Sequence, residues 1–219
     1  LKEVIAGLEE LLEARARVVA CDLHPDYPST WLAERLATER QGRTLPVQHH
    51  LAHAAAVLGE HGRFPGPHQR VLALSLDGTG YGPGGEAWGG EWIEVGGNLQ
   101  WRRLAHLEPL PLVGGETAVR EPWRVAAAAL ARHGEAGLLP RLPIAAQVDP
   151  GRLLEVTRLA DGPWPTATGA GRLFEAAGAM LGLCATNTWE GEAAARLEAL
   201  ASSAGEVAPW AECRFEPDA

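Results

Sequence analysis

His49 and His53 stand four residues apart in the stretch V-Q-H-H-L-A-H. That spacing is about one helical turn, so a helix puts both imidazoles on one face, one above the other. Neutral imidazoles so placed can clamp a single metal ion. Leu51, Ala55 and Leu58 fall on roughly the opposite face, which leaves the histidine face to look into a cleft. His49 would lie near the positive end of the helix dipole, which disfavours imidazolium and favours the ligand form. The plain alternative is a pair of solvated surface histidines. A metalloprotease reading fails because no glutamate sits inside the spacing.

Downstream, V-L-A-L-S-L-D-G-T-G-Y-G reads as a buried strand that ends at Asp77 in a glycine-rich turn. Glycines there would let backbone N–H groups approach an anion closely. An aspartate at the strand end can hold a metal or polarise a water. Asp77 with the two histidines makes a mixed nitrogen and oxygen donor set, suited to Zn²⁺ or Fe²⁺ with open positions. Gly114-Gly115 before a helix is a second candidate anion site. Arg120 and Arg124, one turn apart, can form a clamp for phosphate or carboxylate, or simply pair with Glu116 and Glu121. Small residues at Thr168-Gly169-Ala170-Gly171 and at Gly191 open two further helices, where they admit a ligand or serve packing. Cys184 has no basic neighbour in sequence and is not proposed as a nucleophile.

The elements that must position these groups follow from periodicity. Leu1 to Arg15 carries a helical apolar stripe, and Arg17 to Leu23 reads as a buried strand. Ser29 or Thr30 can cap a helix through Arg40, Thr44 to Gln48 is extended, and the histidine helix runs to about His61. That alternation predicts an α/β sheet layered with helices. Ala87 to Val95 pairs back on the preceding strand, with Leu99 to Leu107 as a third, antiparallel one. A helix spans Thr117 to His133, kinked or restarted at Pro122. Gly134 to Pro150 is a connection, Leu153 to Leu159 is helical, and Gly162 to Gly171 is loop. Arg172 to Leu181 and Glu190 to Leu200 are helices, and nothing after Ser203 carries a pattern. With no repeat or low-complexity linker, the chain reads as one structural unit.

Composition narrows the partners. The 219 residues carry a net charge of -9, which argues against a nucleic-acid backbone as the main partner. No apolar run approaches a membrane span, and no secretory signal is visible. Cys21, Cys184 and Cys213 form no framework, which fits a reducing cytoplasm. The only methionine is Met180, so Leu1 is not a natural start and the chain is expected to be a piece of something longer.

The order of motifs is specific. V-A-C-D-L-H-P-D-Y-P-S-T, V-Q-H-H-L-A-H, L-D-G-T-G-Y-G with W-G-G-E, P-L-P-L-V-G-G-E-T-A-V-R-E-P-W-R, G-R-L-F-E-A and T-W-E-G-E-A-A run from about Val18 to Glu198. Together they resemble the carbamoyl-transferring domain of the HypF family of hydrogenase-maturation carbamoyltransferases. That domain is similar to the TsaD-like family, within the actin-like and sugar-kinase (ribonuclease H-like) superfamily. The resemblance implies an α/β domain with a mixed sheet, helices on both faces and an incomplete second half. It also implies that acylphosphatase-like, zinc-finger and YrdC-like domains precede this one in the family.

In function, the resemblance implies transfer of a carbamoyl group to the C-terminal cysteine thiol of HypE, on the way to the cyanide ligands of the nickel–iron hydrogenase. The donor is carbamoyl adenylate, made from carbamoyl phosphate and ATP, with Mg²⁺ as a further cation. His49, His53 and Asp77 match the metal ligands, and Asp77 and His50 are the catalytic candidates. Gly78, Thr79, Gly80 and Tyr81, with Gly115 and Arg124, would contact substrate, while Gly171, Glu175 and Gly191 would contact nucleotide. This sequence departs from the family in three respects. Glu175 stands in place of an aspartate and Glu192 in place of a glutamine. Thr168-Gly169 replaces a pair of serines. The chain also stops before the family's serine-glycine-glycine loop and late metal-binding aspartate. Two other readings remain: a tRNA threonylcarbamoyl transferase-like enzyme, and a non-catalytic module that docks HypE.

Overall fold

The computed structural model describes residues 1–205, and these form two compact units. The first is Leu1–Phe64 with Tyr81–Gly85; the second is Pro65–Gly80 with the residues from Glu86 onward. Composition suggests a single unit because no linker marks the boundary. One crossing falls between Gly80 and Tyr81, inside a strand, where polar or proline-rich sequence would not be expected.

In the first unit, α1 (Lys2–Leu11) precedes two parallel strands. β1 (Val18–Asp22) pairs with β2 (Arg43–Val47) in a register running from Val18 opposite Arg43 to Asp22 opposite Val47. Parallel strands need a crossover, and α2 (Pro28–Glu39) supplies it. Pro28 sits at the first turn, where its fixed φ suits a helix start. Thr30 does not cap that helix as expected; its hydroxyl donates to the His24 carbonyl at 2.9 Å and ties α2 to the end of β1. At the mouth of β2, Gly42 abuts the Arg17 carbonyl so closely that a Cβ would collide with it. No residue of β1 is buried, against the expectation of a buried strand. α3 (His49–Glu60) follows β2 after one residue, close to the predicted span.

In the second unit, β3 (Arg70–Tyr81) does not stop at Asp77. It continues through Asp77-Gly78-Thr79-Gly80, and the turn falls after Tyr81. The glycines had suggested a turn, but Gly78 lies within the strand, and it is the facing Gly169 and Gly171 that must lack a side chain there. Gly169 lies against the Gly78 carbonyl, and a Cβ on Gly171 would come within 2.8 Å of the Gly78 Cα. Nor is β3 buried as its sequence suggests. Leu72, Leu74 and Leu76 are exposed on one face while Val71, Ala73 and Ser75 turn to the other, because alternate strand residues point to opposite faces and the leucine face is left uncovered among the described residues.

The sheet order is β3-β4-β7-β6, with β5 off β4. β4 (Ala87–Gly96) pairs antiparallel with β5 (Trp101–His106), as predicted, with an irregularity between Trp92 and Ile93. The two-residue strands β6 (Leu110–Pro111) and β7 (Thr166–Ala167) are antiparallel to each other, and β7 is parallel to β4. The sheet is therefore mixed.

Pro122 ends one helix and starts another: α4 (Glu116–Arg120) gives way to α5 (Pro122–Arg132). The core gathers on α5, with Trp123, Val125, Ala126, Ala127 and Ala128 all buried. Leu139 and Ile144 join it from two 3-10 turns, Ala136–Arg141 and Pro143–Ala146, inside the stretch read from sequence as plain connection. α6 (Pro150–Leu159) adds Leu153 and Val156, and α7 (Ala170–Met180) adds Ala176 and Ala179. α8 (Glu192–Ser203) closes on α7, where a Cβ on Gly178 would meet the Ala193 carbonyl at 2.6 Å. Among the described residues, no helix is long and apolar enough to cross a membrane.

Candidate functional site

In the first unit, α3 delivers the predicted histidine pair. Gln48 caps the helix: its Oε1 accepts from the Leu51 amide at 2.8 Å. One turn in, the Nε2 atoms of His49 and His53 face each other 3.3 Å apart. Two nitrogens bound to one tetrahedral zinc at about 2.0–2.1 Å would stand ~3.3 Å apart, so the pair already has the spacing of two ligands on one ion. The pair borders an open cavity of about 380 Å³, lined also by Cys21, Asp22, Ala52 and Ala56.

Sequence reading missed Asp22. Its Oδ2 lies 2.7 Å from His49 Nδ1, and its Oδ1 accepts from the His24 amide at 2.9 Å. Burial works to raise the Asp22 pKa, but the His49 hydrogen bond and the His24 amide outweigh it and hold the carboxyl below its ordinary value. His24 itself stacks flat on Tyr27, ring centroids 4.1 Å apart, with Tyr81 at 4.6 Å. His50, a catalytic candidate, is fully buried, with Nδ1 3.0 Å from Gln48 Nε2. That enclosure suits support of α3 rather than contact with a substrate. Tyr81, expected beside the glycines, belongs to this unit, and its carbonyl accepts from Gln48 at 3.3 Å.

Asp77, Gly78, Thr79 and Gly80 belong to the second unit. The Asp77 Oδ1 accepts from the Gly78 amide at 2.6 Å, which fixes the carboxylate on its own strand. Its place in a ligand set rests on the sequence pattern.

A second cavity, of about 330 Å³, lies wholly within the second unit. Glu175 and Gly191 both line it, as expected of one site, together with Arg120, Arg172, Asn187 and Trp189. Gly171 does not; its contact is Gly78. The Glu175 carboxylate is almost wholly buried, with Arg172 Nη1 at 2.7 Å and Asn187 Nδ2 at 3.0 Å. Burial nonetheless prevails over Arg172 and Asn187, and the Glu175 pKa is raised. Asn187 also accepts from the Ala193 amide at 3.1 Å, so one side chain joins the start of α8 to the cavity wall. Gly191 precedes α8 at φ 79°, a left-handed conformation that glycine adopts without strain. Asn187 and Arg172 went unnoticed in sequence because neither sits in a pattern with a chemical signature.

Two expectations change. Arg120 and Arg124 do not form a clamp, because the break at Glu121-Pro122 removes the shared turn. Arg120 lines the cavity, while the Arg124 guanidinium is engaged by Glu121, beside the Trp123 ring. Burial would raise the Glu121 pKa, but hydrogen bonds from Arg124 and Arg152 hold it down. Gly115 stands at φ 61° before α4, which has five residues, too short for a useful dipole; the glycine serves the turn.

Elsewhere in the second unit Glu91, of the W-G-G-E motif, is fully buried. It accepts from the Gly89 and Gly90 amides at 2.8 and 3.1 Å, from Arg103 Nε at 2.6 Å, and from the Thr168 hydroxyl. Desolvation pushes its pKa up, but the donors from Thr168, Gly89 and Arg103 win and the pKa is lowered. The tryptophans here pack on the sheet: Arg103 lies over Trp88 at 4.0 Å, and Trp88 meets Trp101 edge to face.

Comparison with known proteins places these features in a family. The profile described as "Carbamoyltransferase, Kae1-like Domain, second subdomain" matches residues 73–216, and the "HypF Kae1-like domain" profile matches residues 1–60. The chain is 46% identical over 210 residues to carbamoyltransferase HypF2 of Cupriavidus necator, covering 94% of this chain and 25% of that protein. It therefore spans about a quarter of that relative's length. Among solved structures, it resembles T. kodakarensis HypF with a TM-score of 0.78 and 30% identity, over 98% of this chain and 30% of that one. A full-length HypF in a phosphate- and nucleotide-bound form gives a TM-score of 0.75 and 31% identity, over 90% of this chain and 25% of that one.

Proposed function

This chain belongs to the HypF carbamoyltransferase family through its Kae1-like domain, and on that premise we propose that it takes part in carbamoyl transfer to a protein thiol. The donor is carbamoyl adenylate, derived from carbamoyl phosphate and ATP, and the acceptor is the C-terminal cysteine of HypE, in the cytoplasm. The cysteine thiolate attacks the carbamoyl carbon, a sulfur–carbon bond forms, and the bond from that carbon to the phosphate oxygen breaks. AMP leaves with the electron pair, and the thiol proton passes to solvent. The thiocarbamate product lies on the route to the cyanide ligands of the nickel–iron hydrogenase.

The observation that carries this reading is the His49–His53 pair, with its two Nε2 atoms already at ligand spacing. The donors fit Zn²⁺ or Fe²⁺. When bound there, such an ion supplies Lewis acidity to a carbamoyl oxygen. The chain's own contribution is orientation, since Gln48 fixes the start of α3 and so sets both ring positions. The cavity around Glu175, Trp189 and Gly191 is assigned to the nucleotide part of the donor. Its carboxylate, held by Arg172 and Asn187, shapes the wall, and the half-exposed Trp189 offers a ring face for a base.

The test supplies carbamoyl adenylate and HypE to the chain and to His49→Ala, and follows HypE by intact mass. Gain of one carbamoyl group at the terminal cysteine with the unaltered chain alone supports the proposal. HypE that binds the chain but stays unmodified in both would replace it with the docking reading.

A further inference from the structure

The β1–β2 register has a chemical outcome. Asp22 is the last residue of β1 and lies opposite Val47, two residues before His49. The pairing therefore brings a carboxylate to the base of the histidine helix. Both its oxygens are used: Oδ1 by the His24 amide at 2.9 Å and Oδ2 by His49 Nδ1 at 2.7 Å. The two side chains are 14% and 27% exposed, so water competes weakly for this contact. A carboxylate only accepts, so the ring proton of neutral His49 sits on Nδ1. Its lone pair is then on Nε2, the nitrogen that faces His53.

We propose that Asp22 is the positioning residue of the metal centre: it fixes the rotation and the tautomer of His49, so that Nε2 is presented to the ion as a lone pair. This rests on the metal reading of His49 and His53. Metal-bound histidines commonly donate their second nitrogen to a carboxylate, which aligns the ring and raises its basicity. Here the carboxylate is itself pinned by a backbone amide, so the ring is set before any ion arrives.

The geometry makes Asp22→Asn a sharp test. Asparagine has one oxygen, and the His24 amide requires an acceptor. With that oxygen committed, the NH₂ group faces His49 Nδ1 and calls for the opposite tautomer, whose Nε2 bears the proton. Asp22→Ala imposes neither tautomer.

The experiment has two readouts on the metal-free chain and its variants, with folding checked by circular dichroism. Long-range nitrogen–proton NMR reports the His49 tautomer, and competition against a chromophoric chelator reports Zn²⁺ affinity. The expected result is Nδ1–H in the unaltered chain and a shift towards Nε2–H in Asp22→Asn. Zn²⁺ binding should weaken about 10- to 100-fold, more in Asp22→Asn than in Asp22→Ala. Asp22→Glu should recover part of the affinity. An unchanged tautomer, or Asp22→Asn affinity within about twofold of the unaltered chain, overturns the role of Asp22 while a total loss in His49→Ala leaves the metal centre standing. If the unaltered chain and His49→Ala bind Zn²⁺ alike, the metal reading falls, and this inference falls with it.

Discussion

Glu91 and Glu175 are both buried, both pair with an arginine, and both lie in the second unit, yet their pKa values move in opposite directions. Glu91 is met by two backbone amides, a hydroxyl and a guanidinium. Those donors outweigh desolvation and make the charged form the comfortable one. Glu175 has Arg172 and Asn187, borders a cavity, and feels the negative charge of Glu190. Burial wins there. The contrast separates a carboxylate enclosed by four donors from one with fewer donors at a cavity wall, where Glu190 adds a like charge.

The largest expected effect would be on stability. Glu91→Gln removes the charge that its donors are arranged around and should lower the unfolding free energy by about 2–3 kcal/mol at neutral pH, read by urea denaturation. Glu175→Gln removes a charge that burial disfavours but leaves the buried Arg172 guanidinium without its carboxylate, so its loss should be smaller than that of Glu91→Gln. Equal losses at the two positions would erase the distinction.

Gly169→Ala attacks both regions at once. It follows Thr168, which serves Glu91, and it precedes the helix that carries Arg172 and Glu175. A Cβ there has no room beside the Gly78 carbonyl, so a loss of about 1–3 kcal/mol is expected, with weaker AMP binding. Calorimetric unfolding and AMP titration would show whether the two regions fail together.

Acid titration sharpens the comparison by sign. Glu91, with a lowered folded pKa, contributes stability that is present above its unfolded value of about 4.3 and is lost as pH falls through the folded value. Glu175, with a raised folded pKa, favours the folded state below about pH 4.3, and that contribution is lost as pH rises through its folded value. Melting temperature against pH should therefore show a shallower acid limb in Glu91→Gln. In Glu175→Gln the decline above about pH 4.3 should be smaller than in the unaltered chain. The reverse pattern would invalidate the assignment of causes.

The smallest effect is confined to the cavity. Trp189→Ala should weaken AMP about tenfold without changing the unfolding free energy, while Glu94→Ala on the hairpin should leave AMP binding as it was. A nucleotide affinity indifferent to Trp189 would remove the ring from the site.

What the sequence made legible was local. The histidine helix was readable because its stripe, its Gln48 start and the four-residue spacing lie within one short stretch. The restart at Pro122 was legible for the same reason. Asp22 was not, since its meeting with His49 depends on the register of two strands and spans 27 residues. Asp77-Gly78-Thr79-Gly80 misled because its glycines read as a turn signal, whereas they lie in a strand that two other glycines approach closely. Those two, Gly169 and Gly171, come some ninety residues later. β6 and β7, two residues each, carry no periodicity at all.

The chain passes between its two units after Phe64, after Gly80 and after Gly85. No single cut therefore separates them. A protease nicking near Phe64, or a shortened chain ending there, would release the histidine helix without Tyr81, whose carbonyl receives the Gln48 side chain and whose ring flanks His24. The first unit is thus a spliced object: its integrity depends on five residues that the ribosome delivers only after most of β3 has been made. Dissection of this protein by terminal deletion would mistake the loss of that short insert for the failure of the whole unit. A circularly permuted or loop-grafted version that keeps 81–85 attached is the way to isolate it.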